Sequence, residues 1–233
     1  SGLSLEGMSL SSDTALQQQQ TLVAGFSRLS SLTFANNNLT GLNSISFFSA
    51  AVSARLFDLT VSGQAFGSGS NNNTSTTLSI SNMPSLVLLN LSSNQMDQLA
   101  PSMLVELNAL DSLDLSSNLF TQFDDAWLGQ INSPFFRYLD LNRNRLSSVL
   151  FVRLNSSCRN LGHLSLRNNY LNAVPDLAGL SRLITLDLSD NNISWVAPDA
   201  FNSTLGLNFL SLRGNSLDEV PDAVSVLASL TRL

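Results

Sequence analysis

A chain of 233 residues with 43% hydrophobic content can bury a sizeable core, as one large domain or two ordinary ones. Charge is sparse, at 12% of residues with a net of −6, and every basic residue is arginine, so the chain lacks the basic balance of a nucleic-acid binder. No apolar run reaches the roughly 18 residues of a membrane-spanning helix, and the single cysteine, Cys158, excludes an internal disulfide.

In chain order, Leu3, Leu5, Met8 and Leu10 fall on the later positions of a motif that becomes complete downstream. A longer helix is predicted only around residues 16–26. The motif L-x-x-L-x-L-x-x-N-x-L first reads Leu29, Leu32, Phe34, Asn37, Leu39, then Leu56, Leu59, Val61, Gln64, Phe66, with glutamine one methylene too long for its position. Residues 67–77, GSGSNNNTSTT, lengthen this repeat to 30 residues and are too poor in apolar side chains to fold, which predicts a flexible surface loop. The motif then recurs as Leu86, Leu89, Leu91, Asn94, Met96; as Leu110, Leu113, Leu115, Asn118, Phe120; and as Phe136, Leu139, Leu141, Asn144, Leu146. Three more follow: Leu161, Leu164, Leu166, Asn169, Leu171; Leu183, Leu186, Leu188, Asn191, Ile193; and Leu207, Leu210, Leu212, Asn215, Leu217. First positions from Leu29 to Leu230 step by 22 to 30 residues, the spacing of a repeat.

Leu-x-Leu is a short strand that points alternate side chains inward. No repeat can cover its own apolar face, so neighbours stack into one continuous core. The column Asn37, Asn94, Asn118, Asn144, Asn169, Asn191 and Asn215 stands where the chain leaves each strand, and its amides can pair with otherwise unsatisfied backbone as a ladder. Return segments such as Met96, Leu99, Pro101, Leu104, Leu107 and Ile193, Val196, Pro198, Phe201 carry a proline that favours a turn over a long helix.

These hits resemble the leucine-rich-repeat family over essentially the whole chain, and the return segments are similar to its variable-length, Toll-like class. The resemblance implies an α/β solenoid of about nine repeats. It would be a curved right-handed coil with a parallel sheet on the concave face and short helices, 3-10 turns and loops on the convex face. Residues 1–233 read as a single solenoid. Neither end carries a polar cap, which predicts a window of a longer array.

Little points to catalysis. No zinc-ligand spacing, phosphate loop or Gly-x-Ser-x-Gly elbow is present, and no metal or cofactor is expected. Cys158 and His163 are the only thiol and imidazole, and Cys158 reads better as a small buried side chain than as a nucleophile. The motif's x positions face outward, and on one half of that face stand Tyr138, Asp140, Arg143, His163, Arg167, Asp187, Phe209 and Arg213. Aromatic and arginine residues are enriched at protein-binding hot spots. The competing expectation is that Asp140 and Asp187 pair with these arginines on a solvated surface. Seven sequons occur, against about five or six by chance. Asn72, Asn73, Asn155 and Asn202 lie in loops or return segments, and Asn38, Asn90 and Asn192, near the strands, are poorer acceptors. The resemblance implies a non-catalytic extracellular or cell-surface recognition or adhesion module for a protein or glycan ligand, part of a larger receptor. One alternative is a structural glycoprotein of a wall, sheath or filament, whose partners are copies of itself or neighbouring subunits. The other is a cytosolic scaffold or effector, for which the lone cysteine speaks.

Overall fold

The computed structural model describes residues 2–4, 6–7, 28–36, 50–63, 80, 82–99, 103–124, 128, 131–151 and 158–233. The predicted helix at 16–26, the insertion 67–77, and Asn37, Gln64, Asn38, Asn72, Asn73 and Asn155 lie outside the described residues. Each Leu-x-Leu forms a strand of three to five residues. These are β1 (Gly2–Ser4), β2 (Ser31–Ala35), β3 (Asp58–Ser62), β4 (Leu88–Asn90) and β5 (Ser112–Asp114). Further along come β7 (Tyr138–Asp140), β9 (His163–Ser165), β10 (Thr185–Asp187) and β11 (Phe209–Ser211), with β6 (Gln122–Asp124) and β8 (Ser148–Leu150) lying in return segments between them.

Nine of these build one parallel sheet in the order β1-β2-β3-β4-β5-β7-β9-β10-β11. Its register puts Leu3, Leu32, Leu59, Leu89, Leu113, Leu139, Leu164, Leu186 and Leu210 in a single row. From Leu32 onward that row is buried to within 2% of full coverage, while its outward neighbours are half-exposed or exposed. The period of two along each strand thus separates core from face. The first motif positions, Leu29, Leu56, Leu86, Leu110, Phe136, Leu161, Leu183 and Leu207, line the same core. The chain is therefore a parallel-sheet solenoid with little helix. Among the described residues, helical structure is confined to Ala50–Ser53 and the 3-10 turns Cys158–Asn160 and Asp222–Val226.

The return side departs from the expected turns in two repeats. β6 and β8 pair in parallel as a second, two-stranded sheet, with Phe123 opposite Val149. Both are buried between more exposed neighbours, and the Phe123 ring lies 6.2 Å from that of Phe151. This local alternation favours an extended return.

The exit from each strand is the same in every described repeat. Gly7, Asn36, Gly63, Ser93, Ser117, Arg143, Asn168, Asp190 and Gly214 all have φ between 53° and 69°. Each stands one position before the motif's asparagine site. At Gly214 an added Cβ would fall onto the Asp190 carboxylate, so glycine there serves the close approach of neighbouring turns as well as the φ angle. A non-glycine residue in this region costs roughly 1–2 kcal/mol. Arg143→Gly is therefore expected to raise stability by about 0.5–1 kcal/mol after glycine's own entropy loss. An unchanged urea midpoint for this variant would argue that Arg143 makes compensating contacts.

Beyond that turn, asparagine amides tie each repeat to the one before. Nδ2 of Asn118 donates to Leu115 O and, one repeat back, to Leu91 O, both at 3.0 Å, and its Oδ1 accepts the Met96 N–H at 3.0 Å. Asn144 repeats this with Leu141, Leu115 and the Phe120 N–H, and Asn169 with Leu166, Leu141 and the Leu146 N–H. Asn191 and Asn215 do the same, and Asn94 donates to Leu91 O and Val61 O. These bonds satisfy backbone groups that the turn removes from the sheet.

Candidate functional site

Five strands of the sheet assemble two outward rows. The first runs Ser112, Tyr138, His163, Thr185, Phe209, and the second Asp114, Asp140, Ser165, Asp187, Ser211. Side chains separated by 22 to 26 residues in sequence thereby become neighbours about 4.8 Å apart. Both rows, apart from Ser211, line a depression of about 370 Å³.

The first row is aromatic. The rings of Tyr138 and His163 stack with centroids 4.3 Å apart and planes 3° from parallel. His163 Nδ1 and Thr185 Oγ1 share a 2.9 Å hydrogen bond that fixes the imidazole edge. Burial, then the charge of Arg137, lowers the His163 pKa against an opposing pull from Asp111, so the ring is neutral at neutral pH. With a ring face on Tyr138 and Nδ1 on Thr185, His163 is held as part of a wall. The Cys158 side chain lies outside the described residues.

Three of the five residues in the second row are carboxylates. Oδ1 of Asp114 accepts the Ser116 N–H at 2.9 Å, Oδ1 of Asp140 the Asn142 N–H at 2.8 Å, and Oδ1 of Asp187 both the N–H and hydroxyl of Ser189. Asn90 holds the equivalent place in β4 and caps the Ser92 N–H in the same way. Where Ser165 interrupts the row, Asn142 Oδ1 accepts from the Ser165 hydroxyl and the Arg167 N–H. Burial raises the pKa of Asp140, and the charges of Asp114 and Asp187 add to that rise.

The expectation that Asp140 and Asp187 pair with arginines is corrected here: both cap backbone instead. Two arginines beside the rows pair elsewhere, Arg137 with Asp111 at 2.7 Å and Arg167 with Asp190 at 2.9 Å. Of the sequence-nominated face residues, Tyr138, Asp140, His163, Asp187 and Phe209 converge on the depression. Arg143, Arg167 and Arg213 do not line it, because each sits in the turn beyond its strand, where the left-handed residue redirects the chain. Sequence reasoning passed over Ser112, Asp114, Ser165 and Thr185, although their motif columns mark them as outward-facing. It missed Arg137, whose guanidinium lies 5.7 Å from the Tyr138 centroid, and left Arg232, an outward motif position, out of the nominated site although its guanidinium lies 5.3 Å from the Phe209 centroid.

Among the remaining nominated residues, Asn202 and Asn192 are exposed, and Asn192 Nδ2 donates to Asn172 Oδ1. Asn90 is half-buried on the strand face. Among the described residues there is no cluster of three or more His, Cys, Asp or Glu able to hold a metal, and no helix long and apolar enough to cross a membrane.

A leucine-rich-repeat family model matches residues 181–233. The human leucine-rich repeats and immunoglobulin-like domains protein 3 is 31% identical over 109 residues, covering 46% of this chain and 9% of that protein. Together with the register-locked leucine rows, these matches support a leucine-rich-repeat protein. A solved leucine-rich-repeat protein of Leptospira interrogans superposes with a TM-score of 0.69 at 21% identity, over 99% of this chain and 53% of the other. TLR13, solved in complex with single-stranded RNA, gives a TM-score of 0.59 at 20% identity over 98% of this chain and 27% of that one. These likenesses are of fold. The chain spans only a small part of the human relative and about half of the bacterial one. As a leucine-rich-repeat solenoid it has the architecture of a protein-binding module.

Proposed function

We propose that this solenoid is an extracellular recognition module that binds a protein partner through the outward face of β5, β7, β9, β10 and β11. The observation that carries this reading is the depression itself. It combines a stacked aromatic pair, Phe209 and three carboxylates across five consecutive strands, a concave surface with apolar walls and a few convergent polar groups. Tyr138 is 39% exposed despite its stacking, so it has surface to bury on a partner. The carboxylate row opposes a phosphate backbone, which favours protein over nucleic acid.

Exposed aromatics elsewhere provide the control. Tyr170 and Trp195, each 62% exposed, stand after their repeats' asparagines and away from the depression. Constrained random peptides selected for binding the intact chain are expected to lose at least tenfold in affinity on Tyr138→Ala or Phe209→Ala, and to be unaffected by Tyr170→Ala or Trp195→Ala. The opposite pattern would move the recognition surface to the flank.

Support for an outside location comes from Asn202, an exposed asparagine in the sequon Asn202-Ser203-Thr204. Protein from its natural source is expected to lose mass on enzymatic removal of N-linked glycans, with Asn202 converted to aspartate. An unchanged mass would remove this support and favour an intracellular scaffold.

A further inference from the structure

We infer that the depression recognises a single cationic side chain, arginine or lysine, offered by its protein partner. This rests on the preceding reading that the face binds a protein, and adds what the face selects.

Three carboxylates, Asp114, Asp140 and Asp187, line the depression, and no arginine does. Each spends Oδ1 on a backbone N–H two residues ahead. Among the described residues no donor occupies their Oδ2 atoms, so each has one oxygen to offer. Of the arginines near the face, Arg137 is engaged on Asp111 and Arg167 on Asp190, Arg232 lies over the Phe209 ring, and Arg143 and Arg213 sit in the turns and do not line the depression. Arginine in the partner meets none of these competing assignments.

Aromatic walls complete the match. Long cationic side chains pack their methylene stems on apolar surface while the head reaches polar groups. Tyr138, His163 and Phe209 provide that surface two residues along the strand from the second row, and so on the same side of the sheet. The three rings themselves carry no charge at neutral pH, because His163 is held neutral, so the imidazole adds no positive charge beside the carboxylates. Burial first, and then the charges of Asp114 and Asp187, raise the Asp140 pKa, so its ionised form is costly here and a bound cation relieves that cost. The fold itself stacks guanidinium groups on Tyr138 and Phe209 at 5.7 and 5.3 Å, distances at which cation–π attraction operates.

The test uses the intact chain and small probes, followed by NMR. N-acetyl-arginine methylamide is expected to bind saturably with an affinity of about millimolar order, shifting resonances of Asp114, Asp140, Tyr138 and His163. The lysine analogue should do so at comparable or weaker affinity, and the isosteric neutral citrulline analogue should not. Asp140→Asn combined with Asp187→Asn should weaken the arginine probe at least tenfold. These variants are expected to fold, because Asn90 already performs the same backbone capping in β4.

Stability against pH checks that point. A carboxyl whose folded pKa is raised destabilises the fold once ionised, so the parent loses stability as pH rises from about 4, the ordinary aspartate value, through the folded pKa of Asp140. Asp140→Asn lacks this loss. Its melting temperature relative to the parent should therefore rise between pH 4 and pH 7, and any drop at pH 7 would show that the carboxylate holds the fold. Equal shifts with citrulline, or no shifts at the carboxylate rows, would overturn the cation inference. If that happens while selected peptides still require Tyr138 and Phe209, the face remains a binding surface and only its selectivity was misread.

Discussion

Asn144→Ala is expected to destabilise the solenoid by about 3 kcal/mol or more, near the upper end for single substitutions. The side chain is 6% exposed and makes four bonds to main chain, accepting from Phe120 N–H at 3.2 Å and donating to Leu115 O at 3.1 Å, Leu141 O at 3.0 Å and Asn142 O at 3.2 Å. Two of those partners, Phe120 and Leu115, belong to the preceding repeat. Alanine leaves these main-chain groups without this partner in a site that water reaches poorly, and leaving a buried group unsatisfied costs about 1–3 kcal/mol. Asn144→Asp should be intermediate, since a carboxylate can still accept from Phe120 N–H but cannot donate to the carbonyls. Urea unfolding of the two variants checks the order. An Asn144→Ala loss under about 1 kcal/mol would mean that the ladder is geometry without energetic weight.

Phe136→Ala is expected to cost about 3–5 kcal/mol, the range for truncating a buried aromatic. Phe136 holds the motif's first position where most repeats place leucine, and it has no solvent exposure. It lies in the core shared with Leu110 on one side and Leu161 on the other, so the cavity opens between stacked repeats. Phe136→Leu, matching the other repeats, should recover most of the loss by filling the cavity with a smaller side chain. If thermal melts of Phe136→Leu and Phe136→Ala coincided, the site would have to collapse freely, against the close packing of the leucine rows.

Much of this architecture is legible in the sequence because a repeat states the same physical demand at every turn. Leu113 and Leu139 are 26 residues apart, yet both are read as inward by the same Leu-x-Leu context and are paired in the sheet. The outward rows follow from the same register, which is why Tyr138 and His163 can be aligned before their 4.3 Å stacking is seen. The turn beyond the strand escapes this reading. Arg143 and Arg167 lie only two or three positions past the aspartate row, but one left-handed residue per repeat carries the chain off the face. The partners of Asp140 were also illegible, because a main-chain N–H two residues away competes with any arginine, and composition does not show which donor is nearer. The paired strands β6 and β8 were missed because alternation over three residues is too short to stand out from a turn.

The most direct measurement of the central claim is hydroxyl-radical footprinting of the chain with and without a selected peptide bound. Tyr138, His163 and Phe209 should become protected while Tyr170 and Trp195, each 62% exposed, keep their oxidation rates. Protection of Tyr170 or Trp195 with Tyr138 and Phe209 unchanged would contradict the assignment of recognition to the outward face of the sheet.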